Sequence, residues 1–241
     1  MAKIAHEPPA PTESFPTLVT HNYLWHRLGA FLRPGDHLIA EMGSSCFGAV
    51  DTVLPKDVHY HQQMLYGSIG WSVGALLGIA VGARVLNHGR VILFVGDGSL
   101  LLTMQEISTV IKLGLTPIIF VINNDGYEIE RIIHGPERSY NNIAPIDHSL
   151  LLDFMGSSRS RRSLLDSYET GQIAKERDES HAHEPLPSRK RYHAVYTRDE
   201  FDALLNNAEF AEAKEIQLVE LFCLRGDAPE LLGRTVHSES N

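Results

Sequence analysis

Two short apolar runs, VILFV at 91–95 and IIFVI at 118–122, restrict this chain more than any other feature, because of what lies between and after them. Both are rich in β-branched and aromatic residues, which suit a pleated, buried surface, so they read as strands. Between them, Leu101 to Leu113 carries apolar residues at helical spacing, and Gly114 supplies a stop signal. Strand, helix and strand at this length make a βαβ unit, which fixes a parallel pair joined by a right-handed crossover. A second helical stretch, Arg198 to Ala213, leads into a further strand, Ile216 to Phe222. Upstream, Leu18 to Leu32 has the spacing of an amphipathic helix, Pro34-Gly35-Asp36 ends it, and HLIAEMG reads as a short buried strand entering a glycine turn. The expected fold is therefore α/β, a doubly wound, mostly parallel sheet with helices on both faces.

One helical segment is unusual. GSIGWSVGALLGIAVGA, at 67–83, places Gly70, Gly74, Gly78 and Gly82 four residues apart, hence along one helix face. The expectation is a buried helix whose backbone another element approaches closely.

Composition narrows the function classes. A net charge of −9 argues against a nucleic-acid surface, which needs clustered Lys and Arg. The N-terminal segment lacks the apolar core of a secretory signal, and no run of about 18 apolar residues suggests a membrane span. Cys46 and Cys223 match no metal or redox spacing and read as free thiols in a cytoplasmic protein. His59-Tyr60-His61 offers two imidazoles, but the sequence shows no third ligand beside them. Four prolines in residues 1–16 suggest an extended arm ahead of a domain over 17–241. Residues 157–191, rich in Ser and in charges of both signs, read as a disordered insert interrupting that domain.

Chemistry is concentrated where the two central strands end. Gly96-Asp97-Gly98-Ser99 follows one, and Asn123-Asn124-Asp125-Gly126 follows the next, with Asn124 27 positions after Asp97. Ligands of open α/β sheets bind outside the carboxyl ends of the strands, so both loops face one crevice. Glycines let backbone approach a ligand, and free N–H groups at a helix start suit a phosphate. A carboxylate there would repel that phosphate unless a hard cation lies between them. Mg²⁺ takes about six oxygens and commonly bridges protein groups to phosphates. The Asp97 carboxylate, the Asn124 side-chain oxygen and the Gly126 carbonyl would supply three.

The segments GDGSLLLTMQEIST and NNDGYEIERIIHG together resemble the thiamine diphosphate motif of the pyruvate and indolepyruvate decarboxylases, the fungal pyruvate decarboxylases in particular. AEMGSSCFG and LYGSIGWSVGALLG are similar to segments at the start of that family's C-terminal domain. The likeness runs from about residue 18 to 154 and from about 192 to 232, and leaves out the insert, which is expected to be an addition or a gene-model artefact. It implies a thiamine diphosphate and Mg²⁺ site in which Asp97, Asn124 and Gly126 hold the metal. Ser44, Gly98 and Ser99 would meet the diphosphate, while Gly67, Ile69 and Ile129 would contact the rest of the cofactor. Ile69 would wedge beneath it and enforce a bent shape. Glu130 would stand near the carboxylate of the substrate, a small 2-oxo acid.

The implied reaction is non-oxidative decarboxylation, pyruvate giving acetaldehyde and CO₂. Two other activities remain open, a non-catalytic cofactor-binding module and an acetolactate synthase-like carboligase. In the family the cofactor lies between this kind of domain and a pyrimidine-binding domain of another subunit, so a homo-oligomer is the expected full-length form. Nothing in these residues matches the pyrimidine domain's glutamate or paired histidines. One position departs from the family pattern: Met42 stands where a threonine is usual.

Overall fold

The computed structural model describes residues 17–156 and 191–232. The arm at 1–16 and the insert at 157–191, save Arg191, lie outside the described residues. Six strands form one sheet: β1 (His37–Ala40), β2 (His59–His61), β3 (Val91–Gly96), β4 (Ile118–Asn123), β5 (Tyr192–Val195) and β6 (Gln217–Phe222). Their order across the sheet is β2-β1-β3-β4-β6-β5, and every pairing is parallel.

Alternation along the central strands sends successive side chains to opposite faces. Leu38, Ile92, Phe94, Ile118, Phe120 and Leu221 join one apolar cluster with α1 (His21–Phe31), α8 (Arg198–Leu205) and α9 (Ala208–Glu212). Ile39, Leu93, Val95, Ile119, Val121 and Leu218 join a second with α3 (Trp71–Leu86), α5 (Glu106–Lys112) and α7 (Leu151–Phe154). The expected doubly wound architecture is therefore present, with helices on both faces. Phe94 and Phe120 face each other in register across β3 and β4 and stack at 4.4 Å, with Trp25 at 4.9 Å from Phe94.

Several boundaries differ from expectation. The stretch 101–113 is two helices, α4 (Asp97–Thr103) and α5, broken at Met104 and Gln105. Likewise 198–213 is α8 and α9, because the Asn207 side chain accepts the Phe210 N–H and starts a new helix. The α8 start is a capping box between Thr197 and Glu200.

The glycine-rich helix needs the largest correction. It starts at Trp71, not Gly67, since Gly67 and Gly70 have φ of +58° and +85°. It is packed on one side only, through Val73, Leu76, Ala80 and Ala83. A Cβ added at Gly74, Gly78 or Gly82 would meet nothing within 4 Å. The glycine stripe thus lies opposite the sheet, and only Gly70 is approached closely, by Leu102.

Both cysteines are free, as expected. Among the described residues no helix is long and apolar enough to cross a membrane.

Candidate functional site

β1, β3 and β4 are neighbours, and their carboxyl ends deliver three loops to one place. β1 leads through Glu41, Met42 and Gly43 into the short helix α2 (Ser44–Gly48). β3 runs directly into α4, whose first residue is Asp97. β4 ends at Asn123, and Asn124 to Tyr127 connect it to α6 (Glu128–His134). A small, partly open cleft lies between these loops.

Seven of the sequence-predicted residues line this cleft. Ser44 enters from α2 and Ile69 from the segment before α3. Gly98 and Ser99 come from α4, Asn124 and Gly126 from the β4–α6 connection, and Ile129 from the first turn of α6. Asp97 lies in the wall, only 1% exposed, with its carboxylate accepting the Gly98 N–H at 2.7 Å and the Gly126 N–H at 3.0 Å. The latter bond ties the two predicted loops together. Gly67 lies outside the cleft lining and is exposed. Glu130 also stands apart, its carboxylate 3.3 Å from His134 one helical turn on.

Burial makes Asp97 electrostatically uncomfortable. It pushes the carboxyl up to about 6, although the N–H groups of Gly98 and Gly126 and the nearby His148 pull the other way. Beside it, the Asn124 side-chain oxygen is buried without a hydrogen-bond partner. A buried amide oxygen without a donor costs about 1–3 kcal/mol unless something else satisfies it. A hard cation held by oxygens would satisfy both defects at once, so the residues present fit Mg²⁺. Met42 also lines the cleft, and its sulfur lies 3.6 Å from the Cys46 thiol.

Two residues that the sequence did not single out hold this geometry. Arg131, 5% exposed, donates to the Asn124 carbonyl at 2.9 Å, the Asp125 carbonyl at 2.5 Å and the Asn142 side chain at 3.2 Å, and pairs with Glu128. It fastens the Asn124 loop from behind. Gly126 completes that turn with φ of +130°, where an added Cβ would fall 2.1 Å from the Asn141 carbonyl.

Glu41, 1% exposed at the end of β1, accepts the Gly70 N–H at 3.0 Å and the Ser72 hydroxyl at 2.6 Å. It caps α3 from a distant strand and so positions the segment carrying Ile69. Burial raises its pKa, and the hydrogen bonds from Ser72, Met42 and Gly70 oppose that rise. A lone acid after an apolar strand was the available signal for Glu41. Arg131 sits in a run that reads as an ordinary charged helix and gave none.

This arrangement, a crevice at the carboxyl ends of parallel strands lined by loops that carry a carboxylate and an amide oxygen, is the ligand-binding crevice of the open α/β class. Residues 41–174 match the family described as thiamine pyrophosphate enzyme, C-terminal TPP binding domain, and the chain belongs to that family. It is 42% identical over 217 residues to pyruvate decarboxylase isozyme 3 of Saccharomyces cerevisiae, covering 90% of this chain and 33% of the relative. Identity to the pyruvate decarboxylase of Aspergillus fumigatus is 40% over 223 residues, 92% of this chain and 34% of the relative. The chain thus spans about a third of the length of these relatives. Benzoylformate decarboxylase from Polynucleobacter necessarius shares the fold with a TM-score of 0.62 at 18% identity, over 92% of this chain and 36% of that one.

Proposed function

We propose that this chain is the diphosphate-binding half of a 2-oxo acid decarboxylase, holding thiamine diphosphate through Mg²⁺. The carrying observation is the buried Asp97 carboxylate beside the unpartnered Asn124 oxygen, at the ends of adjacent strands. Asp97, Asn124 and the Gly126 carbonyl would hold the metal. Ser44, Gly98 and Ser99 would meet the diphosphate, and Gly67, Ile69 and Ile129 the remainder of the cofactor. Bound thiamine diphosphate supplies a nucleophilic carbon and an electron sink for loss of CO₂. The protein's own contribution is placement. Asp97 offsets the metal's charge, the Gly70–Glu41 contact fixes the segment that presents Ile69, and Arg131 keeps the Asn124 turn in register with Asp97.

The substrate assigned is pyruvate, released as acetaldehyde and CO₂, on the strength of the fungal relatives. Glu130 would orient or protonate the substrate in the assembled enzyme, where a pyrimidine-binding domain of another subunit closes the site and a cytoplasmic homo-oligomer forms. A second reading, a cofactor-binding module without turnover of its own, is favoured by the span of only a third of the relatives' length. Titration calorimetry of thiamine diphosphate with and without Mg²⁺ tests the binding. Binding that requires Mg²⁺ and weakens at least tenfold in Asn124→Ala is expected; binding indifferent to both would refute the assignment. CO₂ release from pyruvate then separates the two readings. The decarboxylase reading expects turnover once a separately expressed N-terminal region is added, and silence in that mixture favours the module.

A further inference from the structure

The opposite end of the sheet carries a second cluster of ligating side chains. His37 opens β1, His59 opens β2, and His88 lies in the connection from α3 to β3. All three therefore sit at the amino ends of parallel strands, across the length of β1 from the cleft, which is roughly 13 Å at 3.3 Å per residue. His59-Tyr60-His61 offered only two imidazoles in the sequence. The fold brings two more, His37 and His88, and places them beside this pair.

Register does most of this. His37 and His59 are paired residues on neighbouring parallel strands, so their side chains leave the same face side by side. Their rings stack at 4.7 Å. His61, two residues after His59, returns to that face and lies 5.4 Å from His37. His88 is brought in by the end of α3, where Asn87 adopts a left-handed conformation and the His88 N–H bonds the Ala83 carbonyl at 2.9 Å. Gly89 follows, packed so closely on the Gly35 carbonyl that a Cβ would fall 2.5 Å from it, which presses the His88 loop against the start of β1. The His59 and His88 rings are 5.7 Å apart.

We propose that His37, His59 and His88 form a binding site for a borderline divalent transition-metal ion such as Zn²⁺, Cu²⁺ or Ni²⁺, separate from the cofactor cleft. Ligand atoms of the three lie within 4.8 Å of one another, and among the described residues no other group of three His, Cys, Asp or Glu is so placed. Imidazole nitrogens suit these ions and leave Mg²⁺ without the oxygens it needs. The independent observation is His37 Nε2, which is buried with no hydrogen-bond partner. Its other nitrogen, Nδ1, lies 3.1 Å from His61 Nε2. Metal at Nε2 selects the tautomer in which Nδ1–H donates to His61, the usual outer contact of a ligating histidine. His59 and His88 are exposed, so an ion can enter from solvent and find room for water in its remaining positions.

The test is titration calorimetry of the whole chain with ZnCl₂ in the presence of millimolar Mg²⁺, with Co²⁺ absorption as a second reading of the ligand set. Wild type is expected to bind one ion that His59→Ala/His88→Ala loses by at least tenfold, since both substituted residues are exposed and the fold is spared. Co²⁺ should give visible bands of a nitrogen-ligated, low-coordinate ion in wild type and none in the double variant. His61→Gln, which keeps an acceptor for His37 Nδ1–H, should retain affinity, and His61→Leu should weaken it about tenfold. Equal Zn²⁺ binding by wild type and the double variant would overturn the site, because histidines elsewhere in the chain would then account for it. No binding by wild type would overturn it equally. The readouts involve neither thiamine diphosphate nor turnover, so the result stands apart from the assignment of the cleft.

Discussion

Replacing Asp97 by Asn should make the cofactor-free protein more stable while removing its capacity for metal-dependent binding. Asp97 is buried and its carboxyl is pushed from 3.8 to about 6. At about 1.4 kcal/mol per pH unit, that difference is worth about 3 kcal/mol of destabilisation at neutral pH, where the buried group must be charged. Asparagine has one acceptor oxygen where the carboxylate has two, so either the Gly98 or the Gly126 N–H loses its partner. That loss costs about 1–2 kcal/mol. The net gain is about 1–2 kcal/mol, or roughly 2–8 °C in Tm for a chain of this size.

The sign of the pH dependence follows from the raised folded-state value. The folded chain holds its proton up to about pH 6 and the unfolded chain only up to about 3.8. Between those values the folded state binds more protons, so stability falls as pH rises and the full penalty applies above about pH 6. Lowering the pH from 7.5 to 5 should return about 1.4 kcal/mol to wild type and none of it to Asp97→Asn. Urea unfolding in EDTA across pH 5–8 measures both curves. Superposable pH profiles, or an Asn variant less stable than wild type at pH 7.5, would show that the buried charge is not costly. Asp97 would then need no cation to offset its burial.

Three further outcomes follow from the same loops. Gly126→Ala should lose at least 2–3 kcal/mol in denaturant unfolding, because φ of +130° and the Asn141 carbonyl at 2.1 Å both oppose a Cβ. Arg131→Met should cost about 3–5 kcal/mol by leaving Glu128 buried and uncompensated, and adding Glu128→Gln should recover part of that loss in the same assay. Met42→Thr should tighten Mg²⁺–thiamine diphosphate binding by about 0.5–1.5 kcal/mol, a twofold to tenfold change by calorimetry, by placing a hydroxyl in the cleft.

The sequence by itself determined the parts whose signals are local. The apolar runs at 91–95 and 118–122, the helical spacing between them, and the Gly-Asp-Gly and Asn-Asn-Asp-Gly turns are all legible within a few residues. Because parallel strands present their loops at one end, those turns also implied a shared crevice, and Asp97 does bond Gly126 across it. Tertiary structure alone decided which elements became neighbours. Strand order put β1 beside β3, so Glu41 could cap α3, a contact for which sequence spacing gives no rule. The same non-local pairing reversed the reading of the glycine stripe, since the sheet took the opposite face of α3. It also turned two histidines in HYH into one edge of a four-imidazole cluster, by setting His37 and His88 beside them. Periodicity records which side of an element is apolar; only packing decides what that side meets, and what is left facing it.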